Sequence, residues 1–481
     1  HHHPNPMRVR SLDARSNEAL EGTEVAQTDL GQLDLRDLLV RSRRLGLQER
    51  ARFFSDWIRT KRRRGDTLHL RPVHSATDRV TRVGDFRTGE VRPMLMFGSN
   101  SYLGLMTHPH VRERMKAAID DFGAGVSGAP LLNGRSALHY ELEERIAAFK
   151  GKEDAVIFQS GYGANVGVLA TLAGKRDRVV CDALSHASFK DGTKMSAAPT
   201  LQFPHNDVAE LAHLLDRFEG EPGETFVGVE GAYSMDGDLA PLDRIVEACR
   251  GRDTVLIVDD AHGTGVTGPG GRGTAAHFGV TDEVDLILST FSKTFGVTGA
   301  AVCCSRAVAD FLRFYASSYA FSSSLPPASV AAVLAGLDVI EREPGRVERL
   351  RHNMAYTARR LRECGFRVPE PESAVIAVMA PAGLNIRRAA FDLHQRGIFL
   401  NCIEYPGVPA NQQRFRISLM ATHTEADIDR LVTALAEVWD EYAPEEHRLS
   451  RAGAPNPARR PDRPSIGDGM AEPAELRVRE P

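Results

Sequence analysis

Four short stretches carry side chains able to do chemistry together. In Ser289-Thr290-Phe291-Ser292-Lys293-Thr294-Phe295-Gly296, a lysine follows the mostly apolar run 284–288. That run reads as a buried strand. A lysine at a strand end, among small and aromatic residues, loses its proton readily when desolvated and becomes an amine nucleophile able to form a Schiff base. In Val255-Leu256-Ile257-Val258-Asp259-Asp260-Ala261-His262-Gly263-Thr264-Gly265, two acids and a histidine leave the end of another apolar strand. That end is where open α/β sheets place their ligands. In Phe158-Gln159-Ser160-Gly161-Tyr162-Gly163-Ala164-Asn165, a glycine loop joins a strand at 155–158 to a helix expected over 165–173. Backbone N–H groups at a helix start bind phosphate, and Gly161 and Tyr162 are the candidates. In Val179-Val180-Cys181-Asp182-Ala183-Leu184-Ser185-His186-Ala187-Ser188, a fourth strand delivers His186, whose ring can stack on an aromatic cofactor.

Taken singly, each stretch has a plainer alternative: a surface lysine, a solvated acidic turn, a simple strand-to-helix connection, a satisfied polar histidine. Taken together they describe one site for pyridoxal 5'-phosphate. Lys293 is the covalent anchor. Asp259 pairs with the protonated pyridine nitrogen that makes this cofactor an electron sink. His262 bonds its phenolic oxygen, and the Thr290 hydroxyl donates to its phosphate.

In combination these stretches resemble the α-oxoamine synthase family of fold-type I pyridoxal phosphate enzymes. Its members include 8-amino-7-oxononanoate synthase, 2-amino-3-ketobutyrate CoA ligase and serine palmitoyltransferase. The resemblance runs from about residue 97 to about residue 443. It includes Asn100-Ser101-Tyr102-Leu103-Gly104-Leu105, Glu230-Gly231-Ala232-Tyr233-Ser234-Met235-Asp236-Gly237 and Arg414-Phe415-Arg416-Ile417-Ser418. It implies an α/β fold of the aspartate aminotransferase type: a large domain with a mainly parallel sheet and a smaller α/β C-terminal domain. It implies Asn100 and Tyr102 near substrate, and Ser234 and Glu230 near the cofactor and the reacting carbonyl. His186 and Ser234 would orient that carbonyl. Arg416 would hold the amino acid carboxylate, with Arg414 the second choice. Ser323, within Ser322-Ser323-Ser324, would contact the phosphate of a neighbouring subunit, making a homodimer the catalytic unit. Several relatives carry an arginine near the position of Pro130, which this chain lacks.

The implied reaction is decarboxylative Claisen condensation of alanine, serine or glycine with an acyl thioester carried by coenzyme A or an acyl carrier protein. An aminotransferase or lyase on the same fold is the alternative. A cofactor-binding regulator would need a fused DNA-binding domain, for which the N-terminal segment gives little room.

The elements that position these residues follow from the rest of the chain. Its 481 residues suffice for two lobes, and 42% hydrophobic and 26% charged residues are ordinary for a globular protein. The net charge of -4 gives no case for nucleic acid. No apolar run approaches the ~20 residues of a membrane span. The six cysteines show neither metal-ligand spacing nor a disulfide framework, so no metal site is expected and a reducing cytoplasm is.

His1-His2-His3 reads as a tag remnant and Met7 as the natural start, within a flexible segment 1–33. Residues 34–95 form an N-terminal extension: one helix over 34–64 with a basic end at Lys61-Arg62-Arg63-Arg64, then a small hairpin. That basic end is either a solvated helix terminus or a docking patch for an acidic carrier protein or coenzyme A phosphates. The large domain spans 96–340, with a βαβ rhythm from 155 to 305. The small domain spans 341–443, with strands near 375–379, 399–403 and 415–420 and helices at 386–395 and 424–443. Residues 444–481, rich in proline, glycine and charge, read as a disordered tail.

Overall fold

The computed structural model describes residue 30 and residues 33–66, 68–85, 87–409 and 411–449. Most of the expected flexible segment 1–33 and tail 444–481 therefore lies outside the described residues.

The chain begins its sheet structure with an antiparallel hairpin, β1 (Val80–Gly84) and β2 (Val91–Met96). Seven strands then build the central sheet: β3 (Asp154–Phe158), β4 (Arg178–Asp182), β5 (Thr200–Phe203), β6 (Thr225–Glu230), β7 (Thr254–Asp259), β8 (Leu286–Thr290) and β9 (Ala300–Cys304). Their order is β3-β9-β8-β7-β6-β4-β5. β4 to β8 run parallel, and β9 runs antiparallel to both its neighbours. Successive side chains of a strand point to opposite faces. Along β7, Leu256 and Val258 enter one buried cluster and Ile257 the other; along β4, Val180 enters the first and Val179 and Cys181 the second. Both faces are thus covered, which explains why these strands read as unbroken apolar runs rather than alternating ones.

The smaller lobe carries β10 (Val375–Met379), β11 (Ile398–Phe399), β12 (Asn401–Ile403) and β13 (Arg414–Ser418). β10, β13 and β12 form an antiparallel sheet in that order. The helix Glu425–Tyr442 starts at Thr424, whose hydroxyl accepts from the Asp427 amide while the Asp427 carboxylate accepts from the Thr424 amide. Asp427 also receives Arg79 at 2.9 Å, tying this helix to the hairpin side.

Three expectations are corrected. The single helix over 34–64 is two, Leu35–Ser42 and Leu47–Arg64. The second starts afresh at Gly46, in extended conformation, whose amide donates to Glu49. Leucines 45 and 47 continue the apolar spacing across the break and hide it. The helix after the glycine loop begins at Gly161 rather than at 165. The strand expected over 399–403 is split between two sheets: β11 pairs with β2, and β12 with β13. The hairpin that the sequence groups with the N-terminal extension is therefore hydrogen-bonded to the C-terminal lobe.

Candidate active site

Asp259 is buried at the carboxyl end of β7, and its register partner across β6 is Glu230. One Asp259 oxygen accepts from Asn165 Nδ2 at 2.8 Å, the other from the Ala261 amide at 3.2 Å. Asn165 also donates to Ser188 Oγ at 2.9 Å, and Ser188 Oγ meets His186 Nδ1 at 2.7 Å. A continuous hydrogen-bonded chain thus joins the acid motif, the glycine-loop helix and the histidine motif. Asn165 makes that connection, a role the sequence does not signal because it sits inside an apolar helix.

His262 is buried, and its Nδ1 lies 2.6 Å from the Tyr102 hydroxyl. Burial, then the positive charges of Lys293 and Arg416, push its pKa well below the usual imidazole value, so the ring is neutral. Burial also raises Tyr102, to about 12, so it keeps its proton and its role as a donor. Asn100 Oδ1 accepts from Tyr102 at 3.4 Å and from Arg416 Nη1 at 3.2 Å. Asn100, Tyr102, His262 and Arg416 therefore form one cluster.

Lys293 follows β8. Burial lowers its pKa, opposed by the carboxylates of Asp259 and Glu230 and reinforced by Arg416. Glu230 is itself buried, accepts from the Ser234 amide, and keeps one carboxyl oxygen without a partner among the described residues. Burial, then Asp259, raises its pKa well above the carboxylate range.

At the other end of the site, Ser160 caps the helix Gly161–Leu172 and accepts from the Gly163 amide at 2.9 Å. The amides of Gly161 and Tyr162, in the first turn, have no helix carbonyl to bond. A methyl at position 161 would stand 3.2 Å from Thr290 Oγ1, so glycine lets the loop close on that hydroxyl. Thr290 Oγ1 in turn lies 3.0 Å from Ser292 Oγ. Two free amides at a helix start and two hydroxyls make a phosphate cradle; Ser292 escaped the sequence reading. A desolvated lysine, a buried carboxylate and a phosphate cradle fit pyridoxal phosphate.

The two arginines of β13 separate cleanly. Arg414 pairs with Asp236 and donates to the Met235 carbonyl. Arg416 donates to the Ser234 carbonyl at 2.5 Å and to Ser418 Oγ, and meets no carboxylate among the described residues. Tyr162 and Ser323 sit further out, whereas His186 is close enough to Asp259 and Lys293 to feel both charges. The Tyr162 side chain is exposed and its hydroxyl bonds Asp191. His186 caps the helix Ala187–Met195 with its ring at the surface. Ser323 lies in an exposed turn, with no hydrogen bond to the Lys293 cluster among the described residues.

Residues 92–435 match the class I and II aminotransferase family. The chain is 40% identical over 351 residues to the 8-amino-7-oxononanoate synthase of Geotalea daltonii, covering 72% of this chain and 89% of that one. The chain belongs to the α-oxoamine synthase family. It is 36% identical to the serine palmitoyltransferase of Sphingobacterium spiritivorum, over 78% of this chain and 92% of the relative. Among solved structures, the serine palmitoyltransferase of Sphingomonas wittichii superposes with a TM-score of 0.76 at 30% identity, over 85% of this chain and 99% of that one. A second, an SPT with PLP as internal aldimine, gives 0.75 at the same identity. As an α-oxoamine synthase, this chain is a pyridoxal phosphate-dependent acyltransferase of fold-type I.

The loop that carries Ser234 in this α-oxoamine synthase rests on His205. Its Nδ1 lies 3.0 Å from Asp182 and its Nε2 2.8 Å from Asp238, and its ring stands edge-on to Tyr233 at 4.4 Å. Burial opposes its charge, and the two carboxylates more than reverse this, raising its pKa to about 10. A folded pKa above the unfolded one, about 6.5, stabilises fully below that lower value and loses the stabilisation as pH climbs through the higher. His205→Gln should therefore cost about 2 kcal/mol at pH 6, after discounting for partial exposure. The gap from wild type should close towards pH 10. Urea unfolding at both pH values measures it; a gap independent of pH contradicts the ion-pair account.

Proposed function

We propose that this chain condenses a small amino acid (alanine, serine or glycine) with an acyl thioester, releasing carbon dioxide and a thiol and leaving an α-aminoketone. The observation that carries this reading is Arg416, a buried arginine without a carboxylate partner among the described residues, clustered with Asn100, Tyr102 and His262 and close enough to Lys293 to depress its pKa. When bound, pyridoxal phosphate supplies a reactive aldehyde and an electron sink for charge at the substrate α-carbon.

The chain's own residues do the rest. Arg416 holds the substrate carboxylate in its guanidinium fork. Lys293 Nζ, its pKa lowered by burial, would hold the cofactor and serve as the base at the α-carbon. Asp259, oriented by Asn165, holds a proton at the pyridine nitrogen. Neutral His262, fixed by Tyr102, would bond the cofactor's phenolic oxygen. The Gly161 and Tyr162 amides with Thr290 and Ser292 hold the phosphate. His186 and Ser234 orient the thioester carbonyl.

Phe314, Tyr315 and Phe321 are 68%, 66% and 87% exposed, and Phe321 adjoins the Ser322-Ser323-Ser324 turn. An apolar surface of this kind supports a homodimer that closes over this face and brings Ser323 to the partner's phosphate. The free cysteines Cys181, Cys249, Cys303, Cys304, Cys364 and Cys402 support a reducing cytoplasm, and no described helix is long and apolar enough to cross a membrane. The basic end of the helix Leu47–Arg64 supports an acidic acyl carrier protein as a donor beside coenzyme A.

The visible spectrum of the loaded enzyme tests the reading. One of alanine, serine or glycine should shift the cofactor band, and an acyl-CoA or acyl carrier protein should then release thiol. Turnover of the amino acid with no thioester present would establish the aminotransferase or lyase alternative. Arg416→Ala should raise KM for the amino acid by about 10- to 100-fold, since a charge-assisted fork contributes ~1.5–3 kcal/mol. An unchanged KM would return the carboxylate to Arg414.

A further inference from the structure

A cavity of about 290 Å³ lies at the junction of the N-terminal extension and the smaller lobe, lined by Asp66, residues 68–71, Arg387, Ala390 and residues 399–404. It stands apart from the Lys293 cluster; among its lining residues is Asn401, whose register partner across β13 is Arg416 and whose Nδ2 donates to the Gly98 carbonyl. Its charged lining is nearly balanced. Arg387 Nε meets both Glu404 oxygens, at 3.0 and 2.9 Å, and Asp66 is paired with Arg388 at 3.0 Å. Arg71 is the exception, with no carboxylate partner among the described residues. Its guanidinium lies 3.6 Å over the Phe399 ring and its Nη1 is 2.9 Å from His394 Nδ1, while its buried Nε has no partner among the described residues. His394 cannot neutralise it. Burial, then Arg71 and Arg92, lowers the pKa of that histidine to about 4, so it is neutral.

An arginine confined in this way stays charged and remains costly until an anion meets it. The single guanidinium fork of Arg71 matches one carboxylate. Leu68, Leu70, Ala390, Phe399 and Ile403 give the wall its apolar surface, beside the polar His69, Asn401 and Cys402. The volume equals roughly ten water-sized units at ~30 Å³ each, which accommodates an acid with a short alkyl chain. Leu70, in this lining, is 80% exposed and sits at φ 61, a left-handed conformation that a leucine rarely adopts. Strain of this kind collects at ligand sites.

We propose that this cavity is a binding site for a short-chain aliphatic monocarboxylate, held by Arg71 with its alkyl chain against Phe399 and Leu68. The test is calorimetric titration of hexanoate into the pyridoxal phosphate-loaded enzyme at constant ionic strength. One saturable site is expected, with hexanol binding at least tenfold more weakly. Arg71→Gln should weaken hexanoate at least tenfold. Leu70→Glu, an exposed substitution that leaves folding intact, should weaken it several-fold by placing a carboxylate in the lining. Arg416→Ala should leave it unchanged. The proposal is overturned by no saturable binding to wild type, by equal affinity for hexanol, by Leu70→Glu binding like wild type, or by loss of binding in Arg416→Ala, which would put the acid in the reaction site.

Discussion

The Lys293→Ala enzyme should release pyridoxal phosphate on desalting and turn over at least ~10³-fold more slowly than wild type, because one side chain supplies both covalent attachment and proton transfer. The effect is large because no neighbour can supply the attaching amine: His262 and His186 are imidazoles, with Nδ1 engaged by Tyr102 and by Ser188. Lys150, buried like few lysines, is fully occupied by Asp260 at 2.7 Å and by the Arg272 carbonyl. The measurement is the visible absorbance that survives gel filtration, alongside kcat. A variant that keeps both its band and its turnover would show that the amine lies elsewhere.

Asp259→Asn should lower kcat by about 10²- to 10³-fold with little change in KM for the amino acid, since it removes a charge needed when negative charge develops rather than when substrate binds. The substitution is nearly isosteric, so folding should survive. It is chemically awkward, though. Asn165 Nδ2 donates to Asp259 Oδ2, and the other oxygen accepts from the Ala261 amide. An asparagine there can satisfy both donors with its single oxygen only poorly, and its own amide faces the place where an acceptor is required. Stopped-flow kinetics in deuterated and protiated amino acid would show the loss in the proton-transfer step. A KM rise with kcat preserved would mean that Asp259 serves binding instead.

These residues were legible in sequence for a reason that also marks where legibility ends. β4, β6, β7 and β8 are buried on both faces, so each reads as a short apolar block, and the polar residues that follow stand out as the site. Lys293, Asp259, His262 and His186 are all of that kind. Asn165 is not: it lies within a helix whose neighbours Ala164, Val168 and Leu169 are core residues, and only the folded chain sets it against Asp259. The preference for Arg416 over Arg414 gains support from Asp236, which approaches from a loop some 180 residues away and pairs with Arg414. The break at Gly46 was masked by leucines that keep helical spacing on both sides. The Arg71 cavity draws on three separate segments and has no local pattern at all. Ser323 needs a second chain to acquire any assignment.

The three-stranded sheet β1-β2-β11 has a consequence for synthesis. Ile398 and Phe399 pair with Leu95 and Met96, so the hairpin's partner strand leaves the ribosome about 300 residues after the hairpin itself. At ~5–20 residues per second, that interval is roughly 15 to 60 s. Throughout it, the β2 edge, with the apolar side chains of Met94, Leu95 and Met96, is open to any strand that meets it. About 400 residues must therefore be made before this sheet closes. Truncations beyond the central domain should yield aggregation rather than a stable two-thirds of an enzyme.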